Sequence, residues 1–285
     1  PERVKIDTIR CGGPDFALVD NRLMSLYLVK NGFTDAALFG PDGQVLQPKD
    51  ALYKKNVVVM RGRLRPVTNV QLDMIDNGLK QFLEEPDVTK ERVMMISELT
   101  LHNLKANEQG IDEKDFLDRV DILCGLGQTV MISNYLEYYR LVAYLSRLTH
   151  LKIGLIMGIP NLEYIFEEDH YNYLPGGILE SFAALFSRKV KLFVYPTFRN
   201  GQIYTSAQFQ LPPHLEPLFQ YLKSNDKIED ITDYNEQNLH ISTDHVLEMI
   251  QAGEDGWEVM VPASVAQQIR ANCLFGYPSQ VEYTP

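Results

Sequence analysis

The sequence predicts an α/β fold with a mainly parallel sheet and crossover helices, and three observations carry that prediction. Short β-branched or apolar runs alternate with longer runs at helical spacing along the 285 residues, the order that builds βαβ units. Several short runs are apolar nearly throughout, as in Val57-Val58-Val59-Met60 and Val93-Met94-Met95-Ile96, which suits strands covered on both faces. No Pro/Gly/Ser-rich hinge interrupts the alternation. Eight candidate strands, most followed by a helix, suit a (β/α)-barrel-like architecture, preferred here to a doubly wound open sheet.

In chain order the candidate strands are Val4–Ile9, Asp35–Phe39, Asn56–Arg61, Arg92–Ser97, Thr129–Ser133, Lys152–Met157, Val190–Tyr195 and Ile228–Ile231. Gly40-Pro41-Asp42-Gly43 reads as a turn between short strands. Apolar stripes mark four helices: Leu72, Ile75, Leu79 and Phe82; Phe116, Val120 and Leu123; Leu141, Leu145 and Leu148; Ile178, Phe182 and Leu185. Thr68 with Gln71, and Asn134 with Glu137, have the spacing of a capping box. Asp112-Glu113 places acid where a helix dipole favours it. Residues 1–234 are expected to form one α/β domain, with 235–285 a helical tail packed on it. The tail carries helices near Thr243–Ala252 and Pro262–Ala271 and the only tryptophan, Trp257.

Composition narrows the function classes. A net charge of −11 opposes general nucleic-acid binding, which needs a basic footprint. The three cysteines, Cys11, Cys124 and Cys273, have no C-x-x-C spacing, so free thiols in a reducing, cytoplasmic setting are expected. No apolar run reaches the roughly 18 residues of a membrane span, and Pro1–Arg10 lacks the pattern of a cleavable signal. A chain opening on proline suggests a domain cut from a longer protein. The motifs G-x-x-x-x-G-K-[ST], G-x-S-x-G and H-E-x-x-H are absent. Gly125-Leu126-Gly127 ends a helix and precedes a strand, the reverse of a dinucleotide loop. His240 and His245 do not share a helix face as a metal pair. The residues name no cofactor and no metal ligands.

Ligands of α/β folds meet the carboxyl ends of the strands. That directs attention to residues 10–15, 61–69, 98–103, 134–138, 158–161 and 196–199. The clearest feature is a basic island: Lys54, Lys55, Arg61, Arg63 and Arg65, with no acidic residue from Ala51 through Leu72. If Arg61–Arg65 is extended, its three arginines share one side and lead to Thr68 and Asn69 at a helix start, which favours anions. Arginine's planar fork suits phosphate or carboxylate. The competing reading pairs these arginines with some of the 38 acidic residues.

Gly12-Gly13-Pro14-Asp15 permits close backbone approach to a ligand and equally turns a corner. Asp20 or Asn21 reads as a cap. Glu98 has no structural duty in the sequence and is the acid/base candidate, with Asn134 beside it as a second catalytic candidate or a cap. Pro175-Gly176-Gly177 resembles a phosphate loop but follows an acidic, tyrosine-rich stretch. Tyr135, Tyr138 and Tyr139 could stack a base or simply pack.

Four runs carry a family resemblance: Val19–Leu26 (VDNRLMSL), Asp115–Leu123 (DFLDRVDIL), Ile132–Leu141 (ISNYLEYYRL) and Gly176–Phe182 (GGILESF). They look like the carboxyl-terminal part of a poorly characterised bacterial protein family, some of whose members carry the label nicotinate-nucleotide adenylyltransferase. The resemblance spans Lys5 to Tyr277 and implies an additional amino-terminal region in longer members. Adenylyltransferases of that kind have an H-x-G-H loop after the first strand and an I-S-S-T-x-x-R segment later. Here Cys11-Gly12-Gly13-Pro14 and Ile132-Ser133-Asn134-Tyr135 depart from both, so no catalytic residue is carried over and nucleotidyl transfer is disfavoured.

Two functional expectations follow. In the first, the domain binds a small anionic metabolite, phosphorylated or carboxylated and possibly a nucleotide, and whether it is an enzyme stays open. Arg61, Arg63, Arg65, Thr68 and Asn69 hold the anion, Gly12, Gly13 and Asp15 form a ligand loop, and Glu98 and Asn134 are the catalytic candidates. In the second, the domain regulates or completes the amino-terminal region without catalysis. Neither involves nucleic acid or a membrane.

Overall fold

The computed structural model describes residues 6–107, 110–186 and 189–278. Its main sheet has eight strands: β1 (Ala36–Phe39), β2 (Val45–Leu46), β3 (Asn56–Arg61), β4 (Val93–Thr100), β5 (Thr129–Ser133), β6 (Ile153–Gly158), β7 (Val190–Tyr195) and β8 (Ile228–Asp230). Their spatial order is β8-β7-β6-β3-β4-β5-β1-β2. The pairs β8/β7, β7/β6, β6/β3, β3/β4 and β4/β5 are parallel, whereas β1 runs antiparallel to both β5 and β2.

The sheet is therefore open, and the barrel expectation is corrected. Alternating strands and helices serve a barrel or an open sheet equally well; what separates them is which strands pair, a non-local choice. Counted from β3, the six parallel strands follow the 3-2-1-4-5-6 order of a doubly wound, Rossmann-type sheet. The chain leaves β3 toward β4 on one side and returns to β6 on the other, so β3/β6 is the topological switch point. Both edges are blunted: β2 is two residues long and β8 three.

Helices cover both faces. On one lie α1 (Asn21–Lys30), α3 (Asn69–Leu83), α4 (Glu113–Gly125) and the carboxyl-terminal helices α9 (Thr243–Ala252) and α10 (Ala263–Asn272). They share a core with Val58, Met60 and Phe193. On the other lie α2 (Pro48–Leu52), α5 (Tyr138–Leu148), α6 (Ile159–Ile165), α7 (Gly177–Leu185) and α8 (Glu216–Ser224), packed on Val57, Val59 and Leu155. Successive residues of β3 thus enter opposite cores, as the two-residue period of a strand requires.

Two sequence expectations fail at the level of elements. Ile6–Ile9 is not a strand, and Val4 and Lys5 lie outside the described residues. The helix after β5 starts at Tyr138 with Glu137 as its N-cap, so Asn134 and Glu137 do not form a capping box. The Thr68/Gln71 box at the start of α3 is present.

Two glycines let α3 settle on the sheet. A Cβ at Gly78 would lie 2.6 Å from Ile156 atoms, and one at Gly154 would lie 2.8 Å from the Phe82 ring. Phe82 is fully buried and packs edge-on against Phe193, so the ring has no room to retreat. Gly154→Ala should therefore destabilise by about 1–3 kcal/mol through overpacking, seen as a lower urea midpoint with an unchanged slope. An unaltered midpoint would contradict the close approach.

Candidate functional site

The carboxyl ends of the parallel strands carry a cleft of about 370 Å³ lined by Arg61, Gly62, Arg63, Thr100, His102, Asn103, Leu136, Tyr138, Asn161 and Tyr164. These residues follow β3, β4, β5 and β6, so the cleft opens beside the switch point, where doubly wound sheets receive ligands. A second depression of about 410 Å³ adjoins it, sharing Thr100, His102 and Leu136 and adding Lys30, Lys105, Asn134 and Tyr135.

Arg61 ends β3 in register with Glu98 of β4. Their side chains project to the same face and meet: Arg61 Nε donates to Glu98 Oε2 at 2.8 Å and Nη2 donates to Oε1 at 3.1 Å. Ser133 Oγ donates to the same Oε1 at 2.5 Å, and Arg61 Nη1 donates to the Leu136 carbonyl at 2.6 Å. The guanidinium also lies over the Tyr138 ring, 4.4 Å from its centroid. Glu98 is completely buried. A carboxylate so placed needs its cation, because an unpaired buried charge is strongly unfavourable. Glu98 lies within β4 and neutralises Arg61, a structural duty that the sequence did not reveal.

The three arginines do not converge. The chain turns at Leu64, whose φ is 48°, so Arg61–Arg65 is not one extended segment. Arg63 reaches the exposed Asp244 at 3.0 Å and is itself more than half exposed. Arg65 donates through Nε to Asp115, which also accepts from the buried Arg119. The expected triple anion clamp is replaced by three separate ion pairs, on carboxylates supplied by β4, α9 and α4. Only Arg61 and Arg63 line the cleft.

Thr68 and Asn69 are occupied as well. The Thr68 N–H donates to Gln71 Oε1 at 2.9 Å, and Asn69 Nδ2 donates to the Val259 carbonyl at 2.9 Å. Thr68 and Gln71 cap α3. Residues 6–10 form no strand, so the expectation that placed Cys11–Pro14 directly after the first strand is corrected.

The Gly12, Gly13 and Asp15 loop sits at the other end of the sheet. Cys11 exchanges hydrogen bonds of 2.7 and 3.0 Å with Asn21, and Arg10 Nη2 reaches Gln44 Oε1 at 3.5 Å. Gln44 follows β1, whose last residue Phe39 pairs with Val130 near the start of β5. The loop thus lies toward the amino ends of the parallel strands, away from the cleft. Asn134 is exposed in the irregular segment after β5 and belongs to the adjoining depression.

Behind the cleft wall, Arg119 is almost wholly buried. Its Nη1 donates to the Arg63 carbonyl at 3.0 Å and the Asn103 carbonyl at 2.9 Å, while Nη2 donates to Asp115. Burial is the largest influence on this guanidinium and holds its pKa below the ordinary value; Asp115 opposes the shift, and Arg65 and Arg63 reinforce it. Tyr138 is the other notable buried group. Burial pushes its hydroxyl up to about 12, with Arg61 opposing and Glu98 reinforcing, so it remains a donor at neutral pH. That hydroxyl has no hydrogen-bond partner among the described residues.

His102, Asn103 and Asn161 fall in segments the strand-end rule had marked. Tyr164 and Arg119 do not: each sits inside a helix, and only the Asp115/Arg119 spacing of four hinted at a pairing. Among the described residues no group of three His, Cys, Asp or Glu side chains is placed to hold a metal ion. The arrangement can orient and bind; its one fully buried carboxylate is held by Arg61 and Ser133.

No family model matches the chain, and no curated protein matches it. Among solved structures, a Plasmodium falciparum nicotinic acid mononucleotide adenylyltransferase complexed with APC is 11% identical, with a TM-score of 0.46 over 79% of this chain and 98% of that one. A Vibrio parahaemolyticus protein assigned as a nicotinate-nucleotide adenylyltransferase is 10% identical, with a TM-score of 0.31 over 79% and 97%.

Proposed function

We propose that the chain is a small-molecule-binding α/β domain whose ligand is nucleotide-like, with an uncharged, hydrogen-bonding part and an anionic part. The observation that carries this reading is the buried Tyr138 hydroxyl, partnerless among the described residues, on a side chain that lines a cleft at the switch point. A buried hydroxyl left unmade costs about 1–3 kcal/mol, which a bound polar group or an ordered water would relieve. Asn161 and Tyr164 extend the same wall with donors, acceptors and a ring face. Across from them the loop bearing Gly62 and Arg63 offers a solvent-facing guanidinium, suited to phosphate or carboxylate. Arg61, already neutralised, shapes the floor. No nucleophile paired with a base appears in the cleft, so binding is proposed without an assigned reaction.

A thermal-shift screen of nucleosides, nucleotides, sugar phosphates and dicarboxylates tests this. A true ligand at a hundred times its dissociation constant should stabilise by about 2.7 kcal/mol. Arg63→Ala should remove most of that gain for anionic compounds, and Tyr138→Phe should weaken binding by roughly 2- to 10-fold, the worth of one hydrogen bond. Absence of any shift, or shifts indifferent to both substitutions, would overturn the reading.

A second reading, an interaction domain, draws on the exposed apolar side chains Phe16 and Leu18 beside the Gly12–Asp15 loop. They lie away from the cleft, so the two readings can be tested separately.

A further inference from the structure

The cleft has an asymmetry in its supporting charges. Arg61 and Glu98 cancel. Behind the Gly62–Arg63 loop, however, two guanidiniums share one carboxylate: Arg65 and Arg119 both donate to Asp115. Arg65 and Asp115 are 18% and 6% exposed, and Arg119 only 1%. Among the described residues no second carboxylate pairs with either arginine, and burying a surplus positive charge is costly. Arg119 is also the residue that ties the cleft together. It donates from one nitrogen to the Arg63 carbonyl of the loop after β3 and to the Asn103 carbonyl of the turn after β4. Its Nε is buried with no partner among the described residues.

We infer that Arg119 is a positioning residue for an anion subsite formed by the Arg63 and His102 side chains on the two loops it joins, and that its surplus charge with Arg65 selects a phosphoryl group there. This rests on the reading of the cleft as a ligand site. The two carbonyl bonds fix the separation of the loops that face the anion. The unbalanced guanidinium sits behind them in a poorly screened interior, where a fixed charge acts more strongly than at the surface. A buried arginine so used touches no ligand; it acts through the loops it holds. Lysine cannot replace it, because one ammonium lacks the planar fork that serves Asp115 and two carbonyls at once.

The test uses inorganic pyrophosphate and adenosine as separate probes, followed by amide chemical shifts of the full chain. In the wild type, pyrophosphate should shift Gly62, Arg63, His102 and Asn103 saturably. Arg119→Lys should weaken pyrophosphate by about tenfold or more, leave adenosine within about twofold, and speed amide exchange in residues 62–65 and 101–104. Arg65→Gln removes the surplus charge but leaves the two carbonyl bonds, so it should weaken pyrophosphate without speeding exchange; it also covers the case in which Arg119→Lys fails to fold. Equal pyrophosphate binding in wild type and Arg65→Gln, or pyrophosphate shifts elsewhere or absent, would overturn the inference. Adenosine shifts in the cleft without pyrophosphate binding would leave the ligand reading standing and this inference lost. Arg119-dependent pyrophosphate binding with no response to any nucleoside or nucleotide would do the reverse.

Discussion

Replacing Glu98 by alanine should destabilise the protein by about 3–5 kcal/mol, the cost of stranding one member of a buried ion pair. The carboxylate is fully buried and accepts two bonds from Arg61 and one from Ser133. Its removal leaves a guanidinium 8% exposed with no counter-charge. Glu98→Gln should be milder, since the amide oxygen can still accept. A double replacement, Arg61→Met with Glu98→Leu, should recover most of the loss, because two apolar side chains of similar volume remove both desolvation terms together. Urea unfolding of the four proteins supplies the comparison. If Glu98→Ala is tolerated within about 0.5 kcal/mol, as an ordinary surface change would be, the pair is not the buried support described here.

Trp257→Ala should cost about 3–5 kcal/mol, typical of deleting a fully buried aromatic. Trp257 is wholly buried in the core shared by α3, α4, α9 and α10. It packs edge-on against Tyr277 and under Arg270, each about 5.9 Å from the ring centroid. We propose that residues 235–278 fold with the sheet as one cooperative unit, held by this side chain and by Asn69 and Arg63 reaching Val259 and Asp244. As the only tryptophan, it reports on that segment by fluorescence. In the wild type its urea transition should coincide with that of far-ultraviolet circular dichroism. The substitution should then lower the circular dichroism midpoint of the entire chain. Separate transitions, or a sheet transition untouched by the substitution, would show the segment to be independent.

Much of the fold was legible because buried parallel strands write themselves as unbroken apolar runs. Asn56–Arg61, Thr129–Ser133 and Val190–Tyr195 were bounded correctly from residue types alone. So was the helix Thr243–Ala252, bracketed by Ser242 as its cap and Gly253 in the left-handed region. Strand order was not legible, since pairing is decided between segments far apart in sequence. Ile6–Ile9 has the composition of a strand but is irregular, the Ile6 N–H donating to the Phe33 carbonyl.

The candidate cleft lies where the strand-end rule points, and the side-chain pairings there are long-range ones. The rule that ligands meet strand ends marked Arg61, Asn103, Tyr138 and Asn161. What the local sequence withheld was partnership. The carboxylates that meet Arg61, Arg63 and Arg65 lie 37, 181 and 50 positions away, so an apparent basic island became three pairs. Glu98 looked idle for the same reason: its duty is to a neighbour in register across the sheet. The surplus at Asp115 was equally hidden, because it needs Arg65 and Arg119 from two elements at once.

We propose that the carboxyl-edge cleft between β3 and β6 is where this protein meets its ligand. Amide chemical-shift mapping with the nucleotide that gives the largest thermal shift tests it most directly. Saturable changes centred on Gly62, Asn103, Tyr138, Asn161 and Tyr164 are predicted, with the amides of Gly12, Gly13 and Asp15 unmoved. Changes centred on the opposite end of the sheet, or spread without saturation, would contradict it.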